Sequence, residues 1–159
     1  MKNTYALITG ASSGIGLDIA NNLANRGYNL VLTARRKERL VSIAQEISEK
    51  FKVKVDFISC DLSDINTPTE IFNFCNDKNY EVEILINNAG YGIKTPFHET
   101  PMEDEEDFIR VLGTSVIALT KIFLPSMMES QNGKIMIVSS VASFSPPSAI
   151  QALYGPIKT

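Results

Sequence analysis

The sequence predicts an α/β fold, a doubly wound parallel sheet with helices on both faces. Three observations predict it. Strand-type and helix-type hydrophobic patterns alternate along the whole chain. A glycine-rich turn, Thr9-Gly10-Ala11-Ser12-Ser13-Gly14-Ile15-Gly16, joins the first strand pattern to the first helix pattern. Small, amide or charged clusters recur where successive strand patterns end, the place where open parallel sheets bind ligands.

The elements follow in order. Residues 5–9 read as a first strand, and Ile15, Ile19, Leu23 and Ala24 mark one face of a first helix that Gly27 stops. Residues 29–34 form a buried-type strand, followed by a helix with Leu40, Ile43, Ala44 and Ile47 facing inward. Val53, Val55 and Phe57 alternate with polar residues as a third strand. A helix over residues 68–76 tolerates Pro68 in its first turn. Residues 82–86 and 135–138 are a fourth and a fifth strand, with a long helix over 105–129 between them, bent at Pro125. Repeated βα units require a parallel sheet covered on both faces. No repeat, low-complexity segment or linker interrupts residues 1–159, so one domain is expected, ending after its fifth strand.

Composition narrows the function classes. A chain of 159 residues can bury a substantial core. A net charge of −3 and the absence of Trp provide no basic, aromatic-interleaved surface, so nucleic acid is not an expected partner. Cys60 and Cys75 fit no metal or redox spacing and read as buried free thiols suited to a reducing cytoplasm. The acidic run Glu103-Asp104-Glu105-Glu106-Asp107 is explained by solvation and by the dipole at the start of a long helix, so no metal site is expected. His98, in a loop between Pro96 and Pro101, reads as a surface or loop-packing residue. No apolar run is expected to cross a bilayer, and the N-terminal residues do not resemble a secretory signal.

The residues that carry chemistry lie at the strand ends. A glycine turn opening a helix presents backbone N–H groups and a favourable dipole to an anion, and a Cβ at its glycines would block the required conformations. After the second strand stands Arg35, where an acid would accept from an adenosine ribose and an arginine pairs instead with a 2′-phosphate. Asp61, followed by Leu62, suits either acceptance from an adenine amino group or the capping of the next turn. Asn87-Asn88-Ala89-Gly90 leaves room for a flat ligand, and Ser139-Ser140 follows the fifth strand. Tyr154 and Lys158 are four residues apart, so one helical face holds both.

Taken together these motifs resemble the short-chain dehydrogenase/reductase family over nearly the whole chain, in family order. Residues 9–16 resemble its Thr-Gly-x-x-x-Gly-x-Gly cofactor loop, Asn87-Asn88-Ala89-Gly90 its Asn-Asn-Ala-Gly signature, and Tyr154-Gly155-Pro156-Ile157-Lys158 its Tyr-x-x-x-Lys pair. The resemblance implies a Rossmann-type domain that binds NADP, with NAD second because Arg35 stands where an acid would suit NAD. Cofactor contacts are implied at Gly10, Ser12, Ser13, Gly14, Ile15 and Gly16, at Arg35, Asp61 and Leu62, at Asn88, Ala89 and Gly90, and at Tyr154 and Lys158. The implied reaction moves hydride between the nicotinamide and a small-molecule carbonyl or secondary alcohol. Tyr154 would be the acid/base, since a free tyrosine titrates near ~10 and an adjacent ammonium, that of Lys158, stabilises the tyrosinate. Ser140 would hydrogen-bond the substrate oxygen as charge develops.

Three features depart from the family pattern. Alignment on Ala118-Leu119-Thr120 puts Ser115 where the family commonly has an asparagine serving the proton relay. The segment from Ser140 to Tyr154 is one residue longer than usual, around Ser145-Pro146-Pro147-Ser148. The chain stops at Thr159, so the tyrosine helix is expected to be short, the fifth strand an exposed apolar edge, and the family's usual homo-oligomer contacts half missing. A catalytically impaired cofactor-binding remnant is the alternative reading.

Overall fold

A computed structural model describes residues 4–146, 150 and 152–159. Five strands form one sheet: β1 (Thr4–Thr9), β2 (Asn29–Ala34), β3 (Val55–Ser59), β4 (Glu81–Asn87) and β5 (Lys134–Ile137). Their order is β3-β2-β1-β4-β5 and every pairing is parallel, with Leu7 opposite both Val31 and Leu85. The winding reverses between β1 and β4, which opens a crevice at the carboxyl ends of those two strands. The Rossmann-type doubly wound sheet is thereby observed.

Alternation along the strands builds a core on each side of the sheet. On one face Ala6, Ile8, Leu30, Leu32, Ile84 and Ile86 meet α1 (Gly14–Asn25) and α2 (Lys37–Phe51) through residues such as Ala20, Ala24, Leu40 and Ile43. On the other, Tyr5, Leu7, Val31 and Leu85 meet α3 (Thr67–Asp77), α4 (Met102–Ile109) and α5 (Ser115–Ser130) through Ile71, Phe108, Leu119 and Phe123. The last element, α6 (Tyr154–Ile157), is a single turn.

The expected elements are present, with corrections. The buried residues of α1 are Gly16, Ala20 and Ala24, whereas Ile15 is 60% exposed. A face of small residues lets the helix backbone approach the sheet, and the larger Ile15 is turned away by the tight entry at Gly14. The third strand starts at Val55, so Val53 only flanks it. The long helix starts earlier, at Met102, and Arg110–Thr114 is π-helical where α4 meets α5. Glu103, Asp104 and Glu105 occupy its first turn, but Glu105 is buried rather than solvated. Cys75 is buried, and Cys60 only partly so.

The expectation that no apolar run is long enough to cross a bilayer is also corrected: the continuous helical stretch from Met102 to Ser130 passes that test by length and composition. Its inner residues Phe108, Leu112, Leu119, Phe123 and Met127 pack onto the sheet, and Ile117 and Met128 are exposed on its outer side. The length comes from fusing two helices through a π turn, and 33% of the apolar window is buried inside the molecule. The fifth strand is the exposed edge expected, with Ile135, Met136 and Ile137 all accessible. The extra residue between Ser140 and Tyr154 falls around residues 147–149 and 151, which lie outside the described residues, as do residues 1–3.

Candidate active site

The glycine turn is held against β4 by backbone contact and a knot of hydrogen bonds. Gly10 (φ +67°) lies so close to the strand that a Cβ would come within 2.8 Å of Ala89 Cα. A Cβ on Gly16 would lie 2.5 Å from both the Gly10 carbonyl oxygen and Asn88 Nδ2. Buried Thr9 donates its hydroxyl to the Ile86 carbonyl (3.3 Å) and accepts from the Asn88 and Ala89 amides (3.0 Å each). Asn88 returns its side-chain amide to the carbonyls of Thr9 (2.9 Å) and Gly10 (3.3 Å). Gly14, at φ +55°, faces open space, so its missing side chain leaves the start of α1 uncovered. Ser13 is the N-cap of α1 but makes no side-chain cap, which leaves the first-turn N–H groups directed at the crevice.

A cavity of about 420 Å³ opens in front of this turn. Eight expected residues line it: Gly10, Ser12, Ser13, Arg35, Asp61, Leu62, Ala89 and Gly90. Gly14, Gly16 and Asn88 act behind the lining by shaping the turn, while Ile15 lines a separate groove between α1 and Met136. Asp61 makes the turn contact that was one of its two readings. Its Oδ1 accepts from the Ser63 amide (3.1 Å), and its Oδ2 lies 3.9 Å from Arg35 Nη1 in a largely exposed pair. Such a pair contributes little stability, which leaves both groups free to be claimed by a ligand.

Arg36 was missed by the sequence reasoning. Its Nη2 donates to the hydroxyls of Ser12 and Ser13, at 3.0 Å each, so a guanidinium is already folded over the phosphate turn beside Arg35. The adjacency of Arg35 and Arg36 was a signal, but which arginine reaches the serines depends on the β1–β2 register. Tyr91, Asp107 and Val111 also line the cavity without having been expected. Tyr91 packs edge-on against Phe108, and its hydroxyl is pushed above the usual tyrosine value by burial and then by the Asp107 carboxylate.

At Gly90 the cavity meets the second cluster. A Cβ there would lie 3.5 Å from Lys158 Nζ and 3.7 Å from Leu112 Cγ. Lys158 is 9% exposed, and its ammonium donates to the Val138 carbonyl (2.9 Å); burial lowers its pKa. Tyr154 sits one turn earlier on α6, its ring centroid 6.3 Å from that of Phe108. Ser140 caps the short 3₁₀ turn Val141–Phe144 by accepting from the Ala142 amide (3.2 Å), an arrangement that leaves its own proton free to donate.

The short chain dehydrogenase family profile matches residues 4–158. The chain belongs to the short chain dehydrogenase family.

A relative in this family, the very-long-chain 3-oxoacyl-CoA reductase of Phaeosphaeria nodorum, is 36% identical over 154 residues, covering 91% of this chain and 44% of the relative. The chain therefore spans less than half the length of that curated relative. Among solved structures, the bulky-bulky ketone specific alcohol dehydrogenase from Comamonas testosteroni is 33% identical with a TM-score of 0.89, covering 97% of this chain and 61% of that one. A short-chain dehydrogenase from Sphingobium yanoikuyae in complex with NADPH gives the same identity and TM-score, over 98% of this chain and 60% of that one.

One expected site residue of this member of the short chain dehydrogenase family has its hydroxyl turned back on its own helix. Ser115 is buried and donates its hydroxyl to the Val111 carbonyl (2.9 Å), back along its own helix. The helix instead presents Leu112 towards Gly90 and the neighbouring lysine. The π turn at Arg110–Thr114 adds a residue per turn just before Ser115, which changes the face on which downstream residues emerge. Alignment by local sequence does not register such a change. Among the described residues no group of three or more His, Cys, Asp or Glu is placed to hold a metal ion.

Proposed function

We propose that this chain supplies the cofactor-binding part and the Tyr–Lys pair of an NADP(H)-dependent oxidoreductase acting on a carbonyl or secondary alcohol. The observation that carries the reading is the junction at Gly90, where the glycine-turn cavity and the Lys158 ammonium meet. The cavity fits a dinucleotide: Gly10 and Gly16 allow close backbone approach, Gly14 leaves the helix start open, and Arg35 and Arg36 flank its phosphate end. The Arg36 guanidinium on Ser12 and Ser13 supports a 2′-phosphate ligand, which favours NADP over NAD.

The nicotinamide, when bound, supplies or accepts the hydride. The rest falls to this chain's residues. The α1 N-terminus and the two arginines hold the phosphates. Tyr154 passes the proton to or from the substrate oxygen, Lys158 brings its ammonium to the Gly90 end of the cavity, and Ser140 donates to the same oxygen as charge builds there. The relatives' names, a 3-oxoacyl-CoA reductase and a ketone-specific alcohol dehydrogenase, support a carbonyl substrate. The exposed Ile117 and Met128 on α5 support pairing of copies through the long helix. Burial raises both thiol pKa values, that of Cys75 to about 12, which suits thiols kept reduced in the cytoplasm.

Calorimetry with NADPH and NADH, followed by ketone-dependent NADPH loss, tests the reading. Binding favouring NADPH and turnover abolished by Tyr154→Phe are expected. No heat at millimolar NADPH, or turnover that survives Tyr154→Phe, would refute it. A second reading, cofactor binding without turnover, is favoured by Leu112 standing beside Gly90 while Ser115 is tied to its own helix. NADPH heat with no ketone-dependent loss selects it.

A further inference from the structure

Lys158 is gripped at two points by the residues that leave β5. The Val138 amide donates to the Asn87 carbonyl (2.9 Å), which carries the sheet bonding one residue past Ile137 and fixes Val138 beside the Asn88-Ala89-Gly90 corner. From there the Val138 carbonyl accepts from Lys158 Nζ. The next residue, Ser139, donates its hydroxyl to the Lys158 carbonyl oxygen. That carbonyl lies at the C-cap of α6. Orientation comes from the strand end, one contact to the ammonium and one to the backbone.

We infer that Ser139, which the family motifs leave without a role, is a positioning residue that with the Val138 carbonyl sets where the Lys158 ammonium stands. This rests on the reading of Lys158 as the partner of Tyr154. The ammonium stands against Gly90 and the Val138 carbonyl, neither of them titratable, with Tyr154 one turn back. Among the described residues Lys158 makes no ion pair. Ser140, by contrast, spends its acceptor on Ala142 and takes no part in the grip.

The test uses Ser139→Ala and Ser139→Thr in the full chain, with two readouts. One is the NMR titration of the labelled Lys158 side chain, assigned with Lys158→Arg; the other is kcat and KM for NADPH-dependent ketone reduction. Ser139 is exposed, so removing its hydroxyl leaves the fold in place, which circular dichroism verifies. In Ser139→Ala, Lys158 is expected to titrate closer to a free lysine, with kcat lowered roughly 5- to 10-fold, the scale of one net hydrogen bond, and KM unchanged. Ser139→Thr, which keeps the hydroxyl, restores both. An unchanged Lys158 titration in Ser139→Ala, or a Thr variant that behaves like Ala, overturns the inference. Should the wild-type chain bind NADPH and turn nothing over, the catalytic reading fails, and the lysine titration still decides the role of Ser139.

Discussion

The turn after β1 is tied to β4 by five hydrogen bonds through Thr9 and Asn88, all among buried or half-buried groups, and Gly10 and Gly16 leave no space for a Cβ. At the other end of the same crevice, Ser140, Tyr154 and Lys158 hang from β5, an edge strand of four residues exposed along its length. Two corners of one site are thus built differently. The cradle is set by main-chain geometry in the middle of the sheet, and the acid/base corner by single polar contacts at its margin. The difference teaches that cofactor binding and turnover should break separately, and paired substitutions can show it.

The largest effect is expected at Gly16→Ala. The new methyl would meet a backbone carbonyl and the Asn88 amide at 2.5 Å, and neither can retreat without unpicking the knot. A loss of about 3 kcal/mol in urea unfolding is expected, together with loss of NADPH binding. The matching change at the margin, Gly155→Ala, brings a methyl to 2.9 Å from the Ala142 carbonyl. There the neighbour is again a backbone carbonyl, but on a short, half-exposed turn, so a smaller loss of about 1–2 kcal/mol is expected. Equal costs would refute the contrast.

Thr9→Val comes next. The shape is kept, but the amides of Asn88 and Ala89 lose their acceptor, at a cost of about 2 kcal/mol in unfolding. Its counterpart, Ser140→Ala, leaves stability within about 0.5 kcal/mol. Its kcat falls roughly 100-fold if the hydroxyl serves the developing oxyanion. A stability loss at Ser140 as large as that at Thr9 would count against the division.

The cradle was also the more legible part in the sequence, for the same physical reason. Glycine spacing, strand alternation and the Asn-Asn-Ala-Gly corner are local, and each states a backbone requirement that only a few residue types meet. The strand order and the lining roles of Arg35, Asp61 and Ala89 follow from it. Arg36 was not legible, because its contact with Ser12 and Ser13 is created by two strands lying side by side. The hydrogen bond of Ser115 to its own helix was not legible either, because it follows a π turn that no sequence period records. The corner of Lys158 depends on the end of β5 meeting α6, contacts some 20 residues apart that no motif encodes.

Arg36→Ala probes the ligand rather than the scaffold. Removing one charged donor from a 2′-phosphate should weaken NADPH by roughly 10- to 100-fold, the equivalent of about 1.5–3 kcal/mol, and leave NADH nearly unchanged. Calorimetry with both cofactors reads it. A parallel loss for both would mean that Arg36 only braces Ser12 and Ser13.

The smallest effect is expected at Ile137→Thr, and it completes the comparison. Ile137 pairs with Asn87 in the ladder, yet its side chain is 56% exposed, whereas Leu85 two residues back on the neighbouring strand is fully buried. Threonine keeps the β-branched shape that suits a strand, so little is lost in the ladder itself. Because hardly any apolar area is returned to water, the unfolding midpoint should move by less than about 0.5 kcal/mol, against about 2–4 for Leu85→Ala. The same change should reduce light scattering at high protein concentration, since an apolar edge with unpaired backbone groups invites strand addition. A large stability loss at Ile137 would mean that β5 is covered in solution, and with it the corner that carries Tyr154 and Lys158.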